Sequence, residues 1–512
     1  MRSFAKPLNY GAIEAIQRAI PADRQGARRH YGVHPYFTRR PFNVVREYIL
    51  HYSREGDRVL DPFGGSGVTA IEALLENRTG IQNDINPLAN FIAQGIADLR
   101  LGTMADFSAA LSRVEIICQG QLADIARADQ VGLDRMESSL ELPENVRLPK
   151  TSDVASYYEL FSQRQLLSLA ALKSAIDSIA DTHSRLALLL AWSATLAKLN
   201  KTFLSAEGRA ESRGGSSIFS IYRYKVAKQP IELPPWETFL ERAENVRAAK
   251  IELTKSIGVK ERTGRWRGEF IACSKDVEDL GLEFEGSIDY IFTDPPYGGH
   301  ISYLDLSTLW NAWLGLLPGE DVRTKEVIVG GEMELPESHY LGRLDASIRA
   351  CVRMLKNERW LSVVFQHWSV DYFKTILTAA AESGVELRGA VSQVGDPIWS
   401  MHKKKNKDSV LAGELILSFF KTGKKVTVDR TGPFDMVHEV AAILAQAGPS
   451  PVYSEYLLNR LVIEAWRKGA IDSLNIKKEQ LTEVLEKRGW SYDQRNHYWT
   501  KDSLSAATLF EE

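Results

Sequence analysis

The 512 residues carry 63 Lys and Arg against 66 Asp and Glu, a net charge of −3, so any contact with nucleic acid has to come from local basic patches and not from the field of the whole chain. Apolar content of 44% and charged content of 25% are those of a globular protein, and the length calls for two or three domains. Cys118, Cys273 and Cys351 are scattered with no CxxC pair, which speaks against a zinc or disulfide framework and suits a reducing cytosol.

The first residues, Met1 to Tyr10, hold no apolar signal core. The most apolar helix-like stretch, Leu186 to Leu199, is too short for a bilayer, so no membrane segment and a cytoplasmic location are expected. Residues 1 to 56 form a basic, aromatic leader in which Arg24, Arg28, Arg29, Arg39 and Arg40 are opposed nearby only by Asp23. Arg58-Val59-Leu60 then reads as a strand running into Asp61-Pro62-Phe63-Gly64-Gly65-Ser66-Gly67. A helix is expected over Val68 to Glu76, a second strand over Gly80 to Asp84 and a helix over Leu88 to Ala97. This is a βαβ unit, and it implies a parallel sheet.

From about residue 98 to 265 the period is helical, notably at Tyr157 to Ile179 and Leu186 to Leu199, with a loop-rich break from Asn200 to Pro235. So long an insertion is expected to be a domain of its own. Strands resume at Glu269 to Cys273, Ile288 to Phe292 and Leu361 to Phe365, with a helix near Asp371 to Ser383. Glu386 to Val394 and Leu415 to Lys421 should close the sheet as a hairpin. The tail shows helices at Met436 to Ala447, Ser454 to Lys468 and Lys478 to Lys487, then an aromatic ribbon from Trp490-Ser491-Tyr492 to His497-Tyr498-Trp499.

Two turns carry chemistry. Glycines after the first strand let the backbone approach a ligand closely, and the helix that follows offers N–H groups. Phosphate, nucleotide and flavin sites share this feature, as does a purely structural turn. The absence of Lys-Ser/Thr after the glycines disfavours a P-loop. Asp61 would repel phosphate there but attract a cationic or amine-bearing ligand, and Asp84 ends the second strand where an acid accepts hydrogen bonds from a ribose diol. The second turn is Asp294-Pro295-Pro296-Tyr297 at the end of an apolar strand. Its prolines stiffen the backbone, leaving the Asp294 carboxylate and the Pro295 carbonyl as paired acceptors for an –NH2 group. Tyr297 offers a flat face to a base swung out of its helix. An ordinary proline turn is the plain alternative.

Together the two turns resemble the fingerprint of the N6-adenine and N4-cytosine DNA amino-methyltransferases: Asp-Pro-Phe-x-Gly-x-Gly for the cofactor and (Asp/Asn/Ser)-Pro-Pro-(Tyr/Phe/Trp) for catalysis. His34-Pro35-Tyr36-Phe37-Thr38-Arg39-Arg40-Pro41 resembles the family's third cofactor segment, Gly80 to Pro87 with Asp84 its ribose strand, and Ser274-Lys275-Asp276 the place of a residue near the cofactor adenine. Tyr303, Asp305-Leu306-Ser307, Trp310 and Val364 to Trp368 resemble a defence-associated subgroup of adenine methylases. The resemblance covers about residues 31–97 and 265–425. It implies S-adenosylmethionine as cofactor, held by Tyr36, Phe37, Thr38, Asp61, Pro62, Phe63, Gly65, Gly67, Asp84 and Asp276. It implies Asp294, Pro295, Pro296 and Tyr297 at the target amine, no metal, DNA as partner, and other subunits of a restriction or phage-defence system as further partners. Motif order and the position of the insertion match no one subgroup, which leaves the recognition region open. RNA guanine-N2 methyltransferases, whose catalytic turn also reads Asp-Pro-Pro-Tyr, and a DNA-binding subunit with a vestigial site are the rival readings.

The expected fold is a Rossmann-like α/β sheet with a helical insertion and a small winged-helix-like C-terminal domain. Its divisions are 1–97 with the cofactor motifs, 98–265 as insertion and candidate recognition region, 266–425 with the catalytic motif, and 432–512. Between Lys198 and Lys228, Lys201, Arg209, Arg213, Arg223 and Lys225 are interleaved with Phe203, Phe219, Tyr222 and Tyr224, a pattern suited to phosphate contact and base stacking or to a solvated basic surface. Lys403-Lys404-Lys405 is read as a solvated loop or a phosphate contact, and His367 and Trp368 as pocket-lining or packed.

Overall fold

The computed structural model describes residues 9–23, 28–99, 104–204, 215–261, 268–299, 301–393, 413–425, 430–447, 451–476, 478–494 and 498–501. In chain order the first elements are α1 (Phe42–Tyr52), β1 (Arg58–Asp61), α2 (Val68–Leu75), β2 (Thr79–Asn83) and α3 (Pro87–Ala97). The insertion follows with α4 (Met104–Arg127), α5 (Gln130–Glu137), α6 (Gln163–Asp177), α7 (Thr182–Leu196), the short pair β3 (Phe203–Leu204) and β4 (Gly215–Ser216), α8 (Ser217–Ser220) and α9 (Pro235–Glu261). Next come β5 (Glu269–Cys273), α10 (Val277–Glu283), β6 (Ile288–Thr293), α11 (Tyr303–Leu306), α12 (Thr308–Leu314), α13 (Glu320–Arg323) and α14 (Glu337–Met354). The remaining elements are β7 (Leu355–Phe365), α15 (Val370–Glu382), β8 (Val385–Gln393), β9 (Glu414–Lys421), α16 (Met436–Ala447), α17 (Ser454–Arg467), α18 (Lys478–Glu486), β10 (Trp490–Asp493) and β11 (Tyr498–Lys501).

The chain divides into two compact units, one holding Asp23–Leu280 and Gly298–Tyr340, the other Met1–Ala22, Gly281–Tyr297 and Leu341–Glu512. In the first, which contains the glycine turn, β2 lies between β1 and β5 and is parallel to both. All eight residues of α2 are buried, because the helix lies under the strands and is covered in turn by α1. The insertion shares this unit with the βαβ segment. Lys250 of α9 is buried and donates to the carbonyls of Gly95 at 2.6 Å and Ile96 at 3.1 Å and to that of Asp98, so a cation from the insertion closes the C-terminal end of α3. A cation there meets the negative end of the helix dipole. Burial drops the Lys250 ammonium to about 8, opposed by the nearby Asp98. The Trp310 indole donates to Ser193 O at 2.9 Å, joining α12 to α7 in the same way.

The other unit carries four strands in the order β6-β7-β9-β8, with β6 and β7 parallel and both pairs beyond antiparallel. The expected closing hairpin is present, with β9 and not β8 against β7. Lys356 at 2.7 Å and Arg359 at 3.2 Å both reach the buried Asp289 on β6. The N-terminal stretch docks here: the Trp360 indole donates to Tyr10 O at 3.0 Å, and the Arg359 guanidinium lies 3.7 Å from the Tyr10 ring centre. The tail supplies its three helices and its antiparallel ribbon, and α17 packs on β8 and α15. Asn459 ties that packing by donating to Ser392 Oγ at 3.0 Å. Helices pack on mostly parallel strands in both units, β1, β2 and β5 in one and β6 and β7 in the other, the latter with an antiparallel end, which makes a Rossmann-like α/β fold. Among the described residues no helix is long and apolar enough to cross a membrane.

Candidate cofactor turn and catalytic turn

The glycine turn is held from inside. Asp61 is buried, and its carboxylate accepts from the Phe63 N–H at 3.1 Å and the Thr69 hydroxyl at 2.8 Å, closing the turn onto the start of α2. Gly64 donates to Asn83 O at 2.8 Å, and a Cβ at Gly64 would lie 2.1 Å from the Gln82 amide. Gly67 has φ 92° and is pressed against α3, where a Cβ would meet Ala93 Cβ at 2.6 Å. Glycine is required there twice over, by conformation and by space.

Asp84, partly exposed at the end of β2, ties the two halves of the turn. One oxygen accepts the Gly65 N–H at 2.9 Å and the other the Asn86 N–H at 2.8 Å. Burial raises its carboxyl to about 6 against the pull of those two N–H groups. A carboxylate has about four acceptor positions, so two bonds do not saturate it. Tyr36 is buried against the same spot: a Cβ on Gly65 would lie 3.2 Å from its ring. Its neighbours are Phe37 and Tyr303, with ring centres 5.2 and 6.4 Å away. Phe37 is packed among Tyr303, Phe219 and Trp310, while Thr38 is exposed with its hydroxyl 3.3 Å from that of Tyr303. Arg39 donates to Ser66 Oγ at 2.8 Å and to His34 O at 2.5 Å, stitching the upstream segment to the turn. Tyr36, Gly65 and Asp84 are thus brought together, with Pro62 buried and Phe63 on the rim.

Asp276 begins α10, accepting the Glu278 N–H at 3.2 Å. The link from this stretch to the turn is made by a residue outside the motifs: the Asn83 amide donates to Pro62 O and Lys275 O, both at 3.0 Å, and accepts the Lys275 N–H at 3.0 Å. Asn90 adds a bond to Asp84 O at 2.7 Å and one to Ser274 Oγ at 3.1 Å. Three asparagines within eight residues, starting at the last residue of β2, are the sequence signal for this network.

In the other unit, the Asp294 to Tyr297 turn leaves β6 after the buried Thr293. The Tyr297 hydroxyl donates to Asp294 Oδ1 at 2.5 Å, and the Tyr297 ring meets Phe365 edge-on at 5.2 Å and 77°. Pro295 is buried, and Asp294 and Pro296 are half-buried. His367 takes the packed alternative: its Nδ1 accepts the Ser369 N–H at 2.9 Å and its ring stacks on Tyr372 at 4.0 Å.

A family model described as DNA methylase matches residues 17–94, the stretch that includes Tyr36, the glycine turn and Asp84. Over this stretch the chain is similar to the DNA amino-methyltransferases. Among curated relatives, the Type II methyltransferase M.HpaI of Haemophilus parainfluenzae is 30% identical over 132 residues, 26% of this chain and 41% of that protein. The Type II methyltransferase M.MvaI of Kocuria varians is 22% identical over 285 residues, 54% of this chain and 56% of that protein. The chain therefore spans about half the length of the curated relatives it matches.

The basic loop is less cationic than its composition. Arg223 is paired with Asp153, and Lys198 with Glu241 at 3.2 Å. Lys201 donates to Glu159 O at 3.2 Å. Lys225 is exposed, while Arg209, Arg213 and Lys403 to Lys405 lie outside the described residues. Of the interleaved aromatics, Phe203 and Tyr224 are buried; Phe219 and Tyr222 are partly exposed.

Proposed function

We propose that the protein methylates an exocyclic amino group of a DNA base, adenine N6, with S-adenosylmethionine as donor. The observation that carries this reading is the Asp294 to Tyr297 turn, whose carboxylate is oriented by the tyrosine hydroxyl three residues on. The residues of the glycine turn fit the cofactor: Asp84 keeps acceptor capacity for a ribose diol, and Gly65 leaves a cradle beneath Tyr36 that a Cβ would fill. When bound, the cofactor supplies an electrophilic methyl group. Tyr36, Phe63, Gly65, Gly67 and Asp84 hold it, Asp61 keeps the turn closed, and Asp276 fixes the start of α10 at its edge.

Asp294 and the Pro295 carbonyl accept hydrogen bonds from the two protons of the target amine. That favours a pyramidal nitrogen and releases its lone pair for in-line attack, and it stabilises the positive charge that builds on nitrogen. The Tyr297 hydroxyl keeps the carboxylate in place, and its ring stacks on the base. Lys201, Arg209, Arg213 and Lys225 serve the DNA backbone, and Arg223 stays paired with Asp153. The Type II names of the relatives favour a place in a restriction-modification or phage-defence system, alone or with other subunits.

The test is expression in a host lacking methylases, with single-molecule sequencing of its DNA and tritiated-methyl transfer to purified DNA and RNA. N6-methyladenine at a fixed motif is the expected result. N4-methylcytosine would replace the target base. Label in RNA only, or none in either, would overturn the reading.

A further inference from the structure

Within the glycine-turn unit, two stretches of the insertion and the segment that follows the catalytic turn enclose a cleft of about 210 Å³. Lys150, Tyr222 and Arg223 line it from the insertion, and Ser302, Asp305 and Glu332 from the other side. The walls are tied to each other. The Tyr224 hydroxyl bonds Leu306 O at 2.7 Å, Asp305 O at 3.1 Å and Leu309 N at 3.0 Å. The Asp305 carboxylate accepts from Arg323 and from the Glu332 N–H, both at 2.9 Å, and the Glu332 carboxylate accepts the Lys150 N–H at 2.8 Å. Two of the four non-glycine residues with positive φ among the described residues, Tyr222 at 50° and Glu334 at 52°, line this one cleft. Such backbone is costly and persists where the surroundings over-determine it, commonly at ligand sites.

The lining selects a ligand class. A simple anion would face three carboxylates, Asp305, Glu332 and Glu334; an apolar ligand would strand them. A metal ion would find Lys150 and Arg223 already neutralising the acids, with ion pairs to Glu334 at 2.6 Å and to Asp153. A nucleobase suits the lining, since it offers a flat face for Tyr222 and exocyclic N–H donors for the carboxylates. Glutamate accepting from cytosine N4 is an established pairing of base and side chain. Ser302 lies five residues beyond Tyr297 in the chain.

We propose that this cleft receives a nucleotide neighbouring the target base and reads its exocyclic amine, with Glu332 as the acceptor and Tyr222 as the stacking platform. The proposal rests on the DNA-methyltransferase reading above. It is tested on the full chain in the methylase-free host, comparing wild type with Glu332→Gln, Tyr222→Ala and Tyr222→Phe by single-molecule sequencing. Calorimetry of S-adenosylmethionine binding and a thermal melt run alongside. Glu332→Gln and Tyr222→Ala should relax the motif at one position beside the methylated base, with discrimination there falling roughly 10- to 100-fold. The methylated base and the cofactor affinity should stay as they are, and Tyr222→Phe should keep the wild-type motif. An unrelaxed motif in both disrupting variants, with wild type active, overturns this proposal alone. Loss of cofactor binding in the variants overturns it too, because the cleft would then be part of the cofactor framework. A wild type that leaves DNA unmodified defeats this proposal and the methyltransferase reading together.

Discussion

At the scale of single residues, the carboxylates divide by what their oxygens already hold. Asp61 directs its bonds into the turn that carries it, while Asp294 accepts the Tyr297 hydroxyl on the turn that would hold the amine. Asp294→Ala is therefore expected to cut methyl transfer at least 100-fold, the scale of about 2.7 kcal/mol of transition-state stabilisation from one missing hydrogen-bonding group, with cofactor affinity near normal by calorimetry. Joint loss of binding and transfer would move Asp294 into the cofactor site. Glu326 is a different case. It is buried, it accepts the Leu304 N–H at 3.2 Å, and it faces Asp305, Arg323 and Asp84. Burial, reinforced by Asp305, raises its carboxyl to about 8. The folded chain therefore binds this proton more tightly than the unfolded chain, and stability falls as pH rises from the ordinary glutamate range through about 8. Glu72, raised to about 7 by burial, acts in the same direction. His30 and His34, lowered to about 3 by burial, act in the opposite direction but only below 6.5. Thermal midpoints should drop between pH 6.5 and 8, and Glu326→Gln should flatten that drop; an equal drop in the variant would assign it to other groups.

At the scale of elements, the strands and the glycine turn are legible in the sequence because both leave local marks. Apolar runs such as Ile288 to Phe292 and Leu415 to Lys421 end in turn residues, and the structure keeps those spans to within a residue or so. What joins elements far apart in sequence leaves no local mark. Lys250 looks like any lysine on a polar helix until α3 ends against it, and Tyr224 reads as one more aromatic in a basic loop until its hydroxyl reaches the backbone around α11 and α12. The site follows the same rule: the motifs point to Gly65, Asp84 and Tyr36 but not to the Asn83 and Asn90 amides that space them. The strand–turn–helix junction also supports a direct test. Gly67→Ala places a side chain at φ 92° and 2.6 Å from Ala93. The cost should be roughly 2–4 kcal/mol from left-handed backbone plus overpacking. A lowered thermal midpoint with weakened cofactor binding is expected, and an unshifted midpoint would show that α3 yields freely.

At the scale of the whole molecule, the governing fact is the net charge of −3. A chain of that sign repels a polyanion at long range, so DNA affinity has to come from places where cations outnumber acids. The stretch from Lys198 to Lys228 has seven basic residues against two acids, yet Arg223 is committed to Asp153 and Lys198 to Glu241. An arginine already paired with a carboxylate adds little net charge, and redirecting it to a phosphate leaves that carboxylate behind. The charge left for DNA sits on Lys201, Arg209, Arg213, Lys225 and Lys228, of which Arg209, Arg213 and Lys225 serve as the test. Replacing those three with Ala should weaken DNA binding across all sequences and reduce the log–log salt slope by roughly 0.9 for each phosphate that the variant no longer neutralises. Arg223→Ala alone should change the slope by less than one such step. Calorimetric affinity for S-adenosylmethionine should stay constant throughout, which separates weakened DNA binding from a damaged fold. An unchanged slope in the triple variant would mean that the loop faces solvent, and the search for the phosphate-binding cations would move to α16–α18 and the ribbon that follows them.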